Sequence, residues 1–97
     1  MKINFTGHQM ELTTALKAVA TEKLNHLDRY FDKATTLNIT FHLEKQRHII
    51  EATIPLSGND IHAHAESDNM YSAIDEVVDK LHRQLTKHKE KIRHHRE

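Results

Sequence analysis

Cysteine and tryptophan are both absent from this 97-residue chain, which holds one proline, two glycines, three phenylalanines and two tyrosines. Without cysteine there can be no disulfide and no thiolate metal site, and a reducing cytoplasm is the expected setting. No run approaches the roughly eighteen consecutive apolar residues of a membrane span. The opening Met1-Lys2-Ile3-Asn4-Phe5-Thr6 also lacks the continuous apolar core of a signal peptide. Scarce aromatics matter for nucleic-acid binding, because unstacked bases need flat partners. Phe5 and Phe41 sit where a core would be, Tyr30 and Phe31 close one helix and Tyr71 opens another, so no stacking platform forms. Chemistry is equally thin. Ser57 and Ser67 lie in no nucleophile-elbow pattern, and no glycine-rich loop follows a strand to hold phosphate. The chain does not read as an enzyme and implies no cofactor. At this length it reads as one domain, residues 1–97, burying roughly two thirds of the surface its unfolded chain exposes.

Net charge is also zero, but only in the sum. Residues 80–97 hold seven Lys or Arg against Glu90 and Glu97, a local charge of +5. The preceding residues hold the other seven bases and twelve acids, a charge of −5. Such asymmetry points to a nucleic-acid or anionic-surface contact at one end of the molecule. Ten histidines would add positive charge as pH falls toward their ordinary pKa of about 6.5.

Hydrophobic periodicity supplies the elements. Ile3 and Phe5 alternate with polar neighbours in a short first strand that Gly7 should terminate. Leu16, Val19, Ala20, Leu24, Leu27 and Phe31 keep helical spacing from Thr13 to about Phe31, with Thr13 or Thr14 as N-cap. Leu37, Ile39, Phe41 and Leu43 alternate as a second strand, followed by a polar link over Glu44-Lys45-Gln46-Arg47-His48. Ile50, Ala52 and Ile54 share one face of a third strand, which Leu56 could extend. After the turn signal Ser57-Gly58-Asn59-Asp60, Ile61, Ala63 and Ala65 alternate with His62, His64 and Glu66 in a fourth. From Ser67 to Glu97 a long helix places Ile74, Val77, Val78, Leu81, Leu85 and Ile92 on its inner side. The fold class is therefore α+β: a two-layer β-α-β-β-β-α domain with a four-stranded mixed sheet and both helices on one face. The first two strands should be parallel and joined by a crossover, with two antiparallel hairpins after them.

The last helix carries the functional signal. Lys80, Arg83, Lys87 and Lys91 recur three, four and four residues apart on its outer side, with Gln84 beside them. Two or three cations would suffice to complement the negative end of a helix, at about 0.3–1 kcal/mol each. Seven bases over five turns exceed that, and stacked like charges repel unless a polyanion relieves them. Contacts of this kind are to phosphate and shape rather than to base identity. A second candidate is the alternation of His62, His64 and Glu66, joined by His42, whose imidazoles and carboxylate are competent transition-metal ligands. The plainer reading, a polar strand facing solvent, is preferred there, so no metal ligand is assigned.

The segments NMYSAID (Asn69–Asp75) and DKLHRQLTKHKEK (Asp79–Lys91) resemble the last helix of the short ribosome hibernation promoting factors, relatives of the ribosome-associated inhibitor and sigma-54 modulation proteins. The likeness extends through Glu11-Leu12-Thr13, KLNHLDRYFDK (Lys23–Lys33) and HAHAES before the last helix. Asn69 stands where the family usually has an acid, and it should still cap the helix. The resemblance implies a domain that occupies the decoding region of the small ribosomal subunit, on its 16S rRNA, where messenger and transfer RNA would lie. It inhibits translation in stationary phase or stress and catalyses nothing. By position, Lys80, Arg83, Lys87, Lys89 and Lys91 become the rRNA-facing residues, joined by Lys23, His26 and Arg29 of the first helix. Long family members carry a further C-terminal dimerisation domain, and the inhibitor type carries a tail past the helix. With neither here, the resemblance implies the short form, a monomer when free that acts with a separate ribosome modulation factor to favour inactive ribosome dimers. The alternatives are the inhibitor type, which keeps ribosomes single, and a stand-alone binder of double-stranded RNA.

Overall fold

The computed structural model describes the backbone of residues 1–30, 35–56 and 58–95, and the side chains of those up to residue 87. Its elements run β1 (Lys2–His8), α1 (Thr14–Leu24), a 3-10 helix (Asn25–Tyr30), β2 (Thr36–Glu44), β3 (Arg47–Ile54), β4 (Ile61–Ser67) and α2 (Met70–His95). The strands form one sheet in the order β1-β2-β3-β4, parallel between β1 and β2 and antiparallel thereafter. This is the order and the mixed pairing that periodicity predicts. Among the described residues, no helix is long and apolar enough to cross a membrane.

Alternation decides which face is covered. Leu37, Ile39 and Phe41 of β2, Ile50, Ala52 and Ile54 of β3, and Ile61, Ala63 and Ala65 of β4 all point into one buried cluster. Leu16, Ala20 and Leu24 of α1 and Ile74, Val77, Leu81 and Leu85 of α2 complete it from above. At about 1.5–3 kcal/mol for each fully buried large side chain, this interface holds the two layers together. The other face of the sheet is polar. Asn4, Thr6, Asn38, Glu51, His62, His64 and Glu66 are exposed on it.

Caps fix where the helices begin. Thr13 is extended (φ −80°, ψ 156°), and its Oγ1 accepts from the Leu16 N–H at 3.1 Å. Asn69 Oδ1 accepts from the Ser72 N–H at 2.9 Å, the capping contact expected of it, and α2 starts at Met70 rather than Ser67.

Three local expectations change. β1 does not stop at Gly7 but continues to His8, because Gly7 pairs with Phe41 in the ladder. The chain turns instead at Gln9 (φ 58°). The first helix is not α throughout: after Leu24 it tightens into the 3-10 segment, in which residues three apart eclipse and Leu24, Leu27 and Tyr30 line one edge. Phe31, the proposed end of that helix, lies outside the described residues. The polar link between β2 and β3 shrinks to Lys45 and Gln46, with Lys45 at φ 56°, since Glu44 pairs with Arg47 and Leu43 with His48.

Candidate nucleic-acid interface

Building the cationic surface starts with α2, whose azimuth is set by Ile74, Val77, Leu81 and Leu85. With these inside, Asp79, Arg83 and Lys87 face outward and are exposed. Lys80 falls on the flank toward β4 and is half-buried. Its Nζ donates to the His64 carbonyl at 2.8 Å and lies 4.0 Å from Glu76 Oε1. Gln84, one turn on, donates from Nε2 to the His62 carbonyl at 2.6 Å. Arg83 donates to Asp79 Oδ2 at 2.6 Å. The repulsion expected from stacked cations is therefore relieved within the helix up to Arg83, by acids one turn earlier.

Among the described residues that internal pairing reaches no further than Arg83. Lys87 is exposed, has Arg83 rather than an acid one turn before it, and among the described residues meets no carboxylate. Lys89 and Lys91 follow on the helical backbone, with side chains outside those described. The helix runs ten residues past Leu85, its last described buried residue, or roughly 15 Å at 1.5 Å per residue. The cations that the sequence places from Lys87 onward thus follow Leu85, the last buried residue among those described. The molecule's extents, 49 × 22 × 20 Å, reflect that length.

A groove of about 610 Å³ separates α2 from the end of the first helix, lined by His26, Leu27, Arg29, Asp75, Val78, Asp79 and His82. Lys23 forms an ion pair across it with Asp75. Arg29 lies over the Tyr30 ring, 5.1 Å from its centroid, and its Nη2 is 3.2 Å from His82 Nε2. Tyr30 completes the network: its ring meets His82 edge-on at 5.6 Å, and its hydroxyl is 3.1 Å from His82 Nε2 and 3.3 Å from Thr86 Oγ1. His26 is exposed on the rim. So the structure brings His26 and Arg29 to the groove that Asp75, Asp79 and His82 of α2 line, with Lys23 paired to Asp75 and Arg83 to Asp79, and leaves Lys80 on the flank toward β4.

The sequence sets Gln84 beside the basic residues but does not single out His82, Tyr30 or Thr86 as their partners. Helical phase does put His82 and Thr86 beside the inner stripe, which marks them as contacts of a neighbouring element. The strand histidines, for their part, are dispersed. His62 shares a hydrogen bond with Thr53 at 3.2 Å, His42 lies 3.6 Å from Glu44, and Glu66 is engaged by Arg47 through both carboxylate oxygens. That hydrogen bonding with the guanidinium holds the Glu66 carboxyl below the usual carboxylate range and raises Arg47. Among the described residues, no three His, Asp or Glu side chains converge on a point where a metal could sit.

A single-sheet α+β domain with its cations gathered at one helix end now has a family. The chain belongs to the family described as sigma 54 modulation protein / S30EA ribosomal protein, which it matches over residues 3–93. It is 44% identical over 95 residues to the ribosome hibernation promoting factor of Escherichia coli K12, covering 98% of this chain and 100% of that one. The corresponding factor of Azotobacter vinelandii is 46% identical over 91 residues, covering 94% and 85%. Among solved structures, a ribosomal subunit interface protein from Coxiella burnetii superposes with a TM-score of 0.80 at 33% identity, covering 92% of this chain and 98% of that chain. The N-terminal domain of Protein Y from Thermus thermophilus gives 0.81 at 30%, covering 90% and 98%. The resemblance read from NMYSAID and DKLHRQLTKHKEK is borne out, and so is the fold class.

Proposed function

We propose that this protein is a cytoplasmic ribosome hibernation factor that silences translation by occupying the decoding region of the small subunit. The observation that carries the reading is the change in charge pairing along α2: Lys80 and Arg83 have acids one turn earlier, and Lys87 has none. From Lys87 onward the helix offers cations that a polyphosphate would neutralise. Arg83, Lys87, Lys89 and Lys91 meet rRNA phosphates in this reading. Lys23, His26 and Arg29 lie at the groove beside α2, and Lys80 belongs to the same helix. Nothing in the mechanism needs a reaction or a cofactor. A rigid two-layer body held by phosphate contacts excludes messenger and transfer RNA by volume.

The relatives matched over their full length are ribosome hibernation promoting factors. That favours the dimer-promoting form, acting as a monomer beside a ribosome modulation factor, over the type that keeps ribosomes single. A sucrose gradient of ribosomes with added protein tests both steps. The protein should travel with small subunits, and ribosome dimers should increase when the modulation factor is supplied. An Arg83→Ala, Lys87→Ala, Lys91→Ala variant should remain at the top of the gradient. Equal affinity for a plain RNA duplex and for small subunits would replace this reading with that of a general duplex binder.

A further inference from the structure

We infer that Lys80 and Gln84 are positioning residues: they clamp α2 to the open edge of β4 and so aim the cationic end of the helix, without contacting phosphate themselves. β4 ends the sheet, and in an antiparallel ladder every second residue of an edge strand turns its carbonyl away from its neighbour. His62 and His64 are such a pair, and each of their carbonyls accepts one hydrogen bond from α2, from Gln84 at 2.6 Å and from Lys80 at 2.8 Å. The spacing explains why two rungs fit together. Four residues of helix advance about 6 Å and two residues of strand about 6.6 Å, so donors four apart on α2 match acceptors two apart on β4. The helix runs antiparallel to the strand, with Lys80 opposite His64 and Gln84 opposite His62.

Position supports the assignment. Packing at Ile74, Val77, Leu81 and Leu85 sets the azimuth of α2 and how close it lies to the sheet. Two polar bonds off one flank add directional restraints that resist a residual roll about the helix axis. On the other flank, the Lys23–Asp75 ion pair and the His82–Tyr30 contact hold the helix from the α1 side. Between them, Arg83 and Lys87 are turned outward. A lysine whose ammonium is committed to a backbone carbonyl beside a half-buried stem is poorly placed to neutralise a phosphate as well.

The inference rests on the proposed rRNA contact for its functional half, and the experiment separates the two. Lys80→Met and Gln84→Met keep the stems and remove the donors, Lys80→Arg keeps a donor, and Lys87→Met serves as comparison. In the free protein, amide exchange along β4 and the facing turns of α2 should accelerate severalfold in Lys80→Met and Gln84→Met, and stay near wild type in Lys80→Arg and Lys87→Met. This arm needs no ribosome, so it stands whatever the partner is. In subunit binding measured across salt concentrations, Lys80→Met should weaken affinity severalfold with an unchanged log–log slope, whereas Lys87→Met should reduce the slope by about 1. The inference is overturned by unchanged exchange in Lys80→Met, or by a slope that falls in Lys80→Met as it does in Lys87→Met. Absence of any subunit binding by the wild type would instead remove the rRNA reading and leave the clamp to be judged on exchange alone.

Discussion

At the scale of single residues, the two glycines show how one residue type answers two demands. Gly58 has φ 85°, with open space where a side chain would go, so the turn there needs its conformational freedom. Gly7 lies inside β1, and a methyl group on it would stand 2.9 Å from the Met10 carbonyl oxygen and 3.0 Å from Leu12 Cγ. It is required for space: the segment between β1 and α1 folds back over it. Gly7→Ala should therefore destabilise the protein by about 1–3 kcal/mol, the usual cost of overpacking, read as a lower urea midpoint with an unchanged m-value. A midpoint within error of wild type would mean that the Met10–Leu12 segment yields freely. Sequence alone marks a glycine after an alternating run as a strand end, since a turn and a close approach leave the same signal. Only knowledge of what lies above the strand distinguishes them.

Among the elements, those with one dominant period were the most legible. β4 alternates cleanly, and β2 does so as far as Phe41, after which Leu43, expected inside, is only half-buried like His42 beside it. The end of the first helix was not legible, because Leu24 and Leu27 suit both forms and continue either to Phe31, as an α-helical stripe, or to Tyr30, as a 3-10 edge. In α2 the inner stripe was readable to Leu85, but which outer cation would be drawn onto the β4 edge was not. That depends on which strand lies at the margin of the sheet, a property of chain order in space. The division of α2 into a packed half and an offered half has a measurable consequence. Leu85 is 2% exposed, so Leu85→Ala should cost about 2–5 kcal/mol. Lys87, two residues on and exposed, should change stability by less than about 0.5 kcal/mol when replaced by Ala, while weakening ribosome binding. Paired urea titrations and co-sedimentation assays check this. A Leu85→Ala variant as stable as wild type would show that the anchoring ends earlier, near Leu81.

The molecule as a whole is divided in charge along its sequence. Its 97 residues sum to zero, yet the eighteen from Lys80 to Glu97 carry +5 and the rest −5. A neutral protein of this kind should not be attracted to RNA from far away by its net charge. It should be oriented as it approaches, with the helix end turned toward the phosphates and the acidic remainder turned away. Orientation before contact acts on the association rate, since it raises the fraction of encounters that arrive in a productive pose. The rate constant for binding small subunits should fall steeply as salt rises from about 50 to 200 mM, because the Debye length shrinks from roughly 14 Å toward 7 Å and the two ends stop being distinguished at a distance. Removing charge beyond the packed part of α2, as in a Lys89→Gln, Lys91→Gln variant, should lower that rate at low salt and flatten its salt dependence. Leu85→Ala should not flatten it while the protein remains folded. Stopped-flow mixing of labelled protein with subunits at several salt concentrations reads all three. An association rate independent of salt would mean that the charge separation plays no part in finding the partner, and that the cations act only once contact has been made.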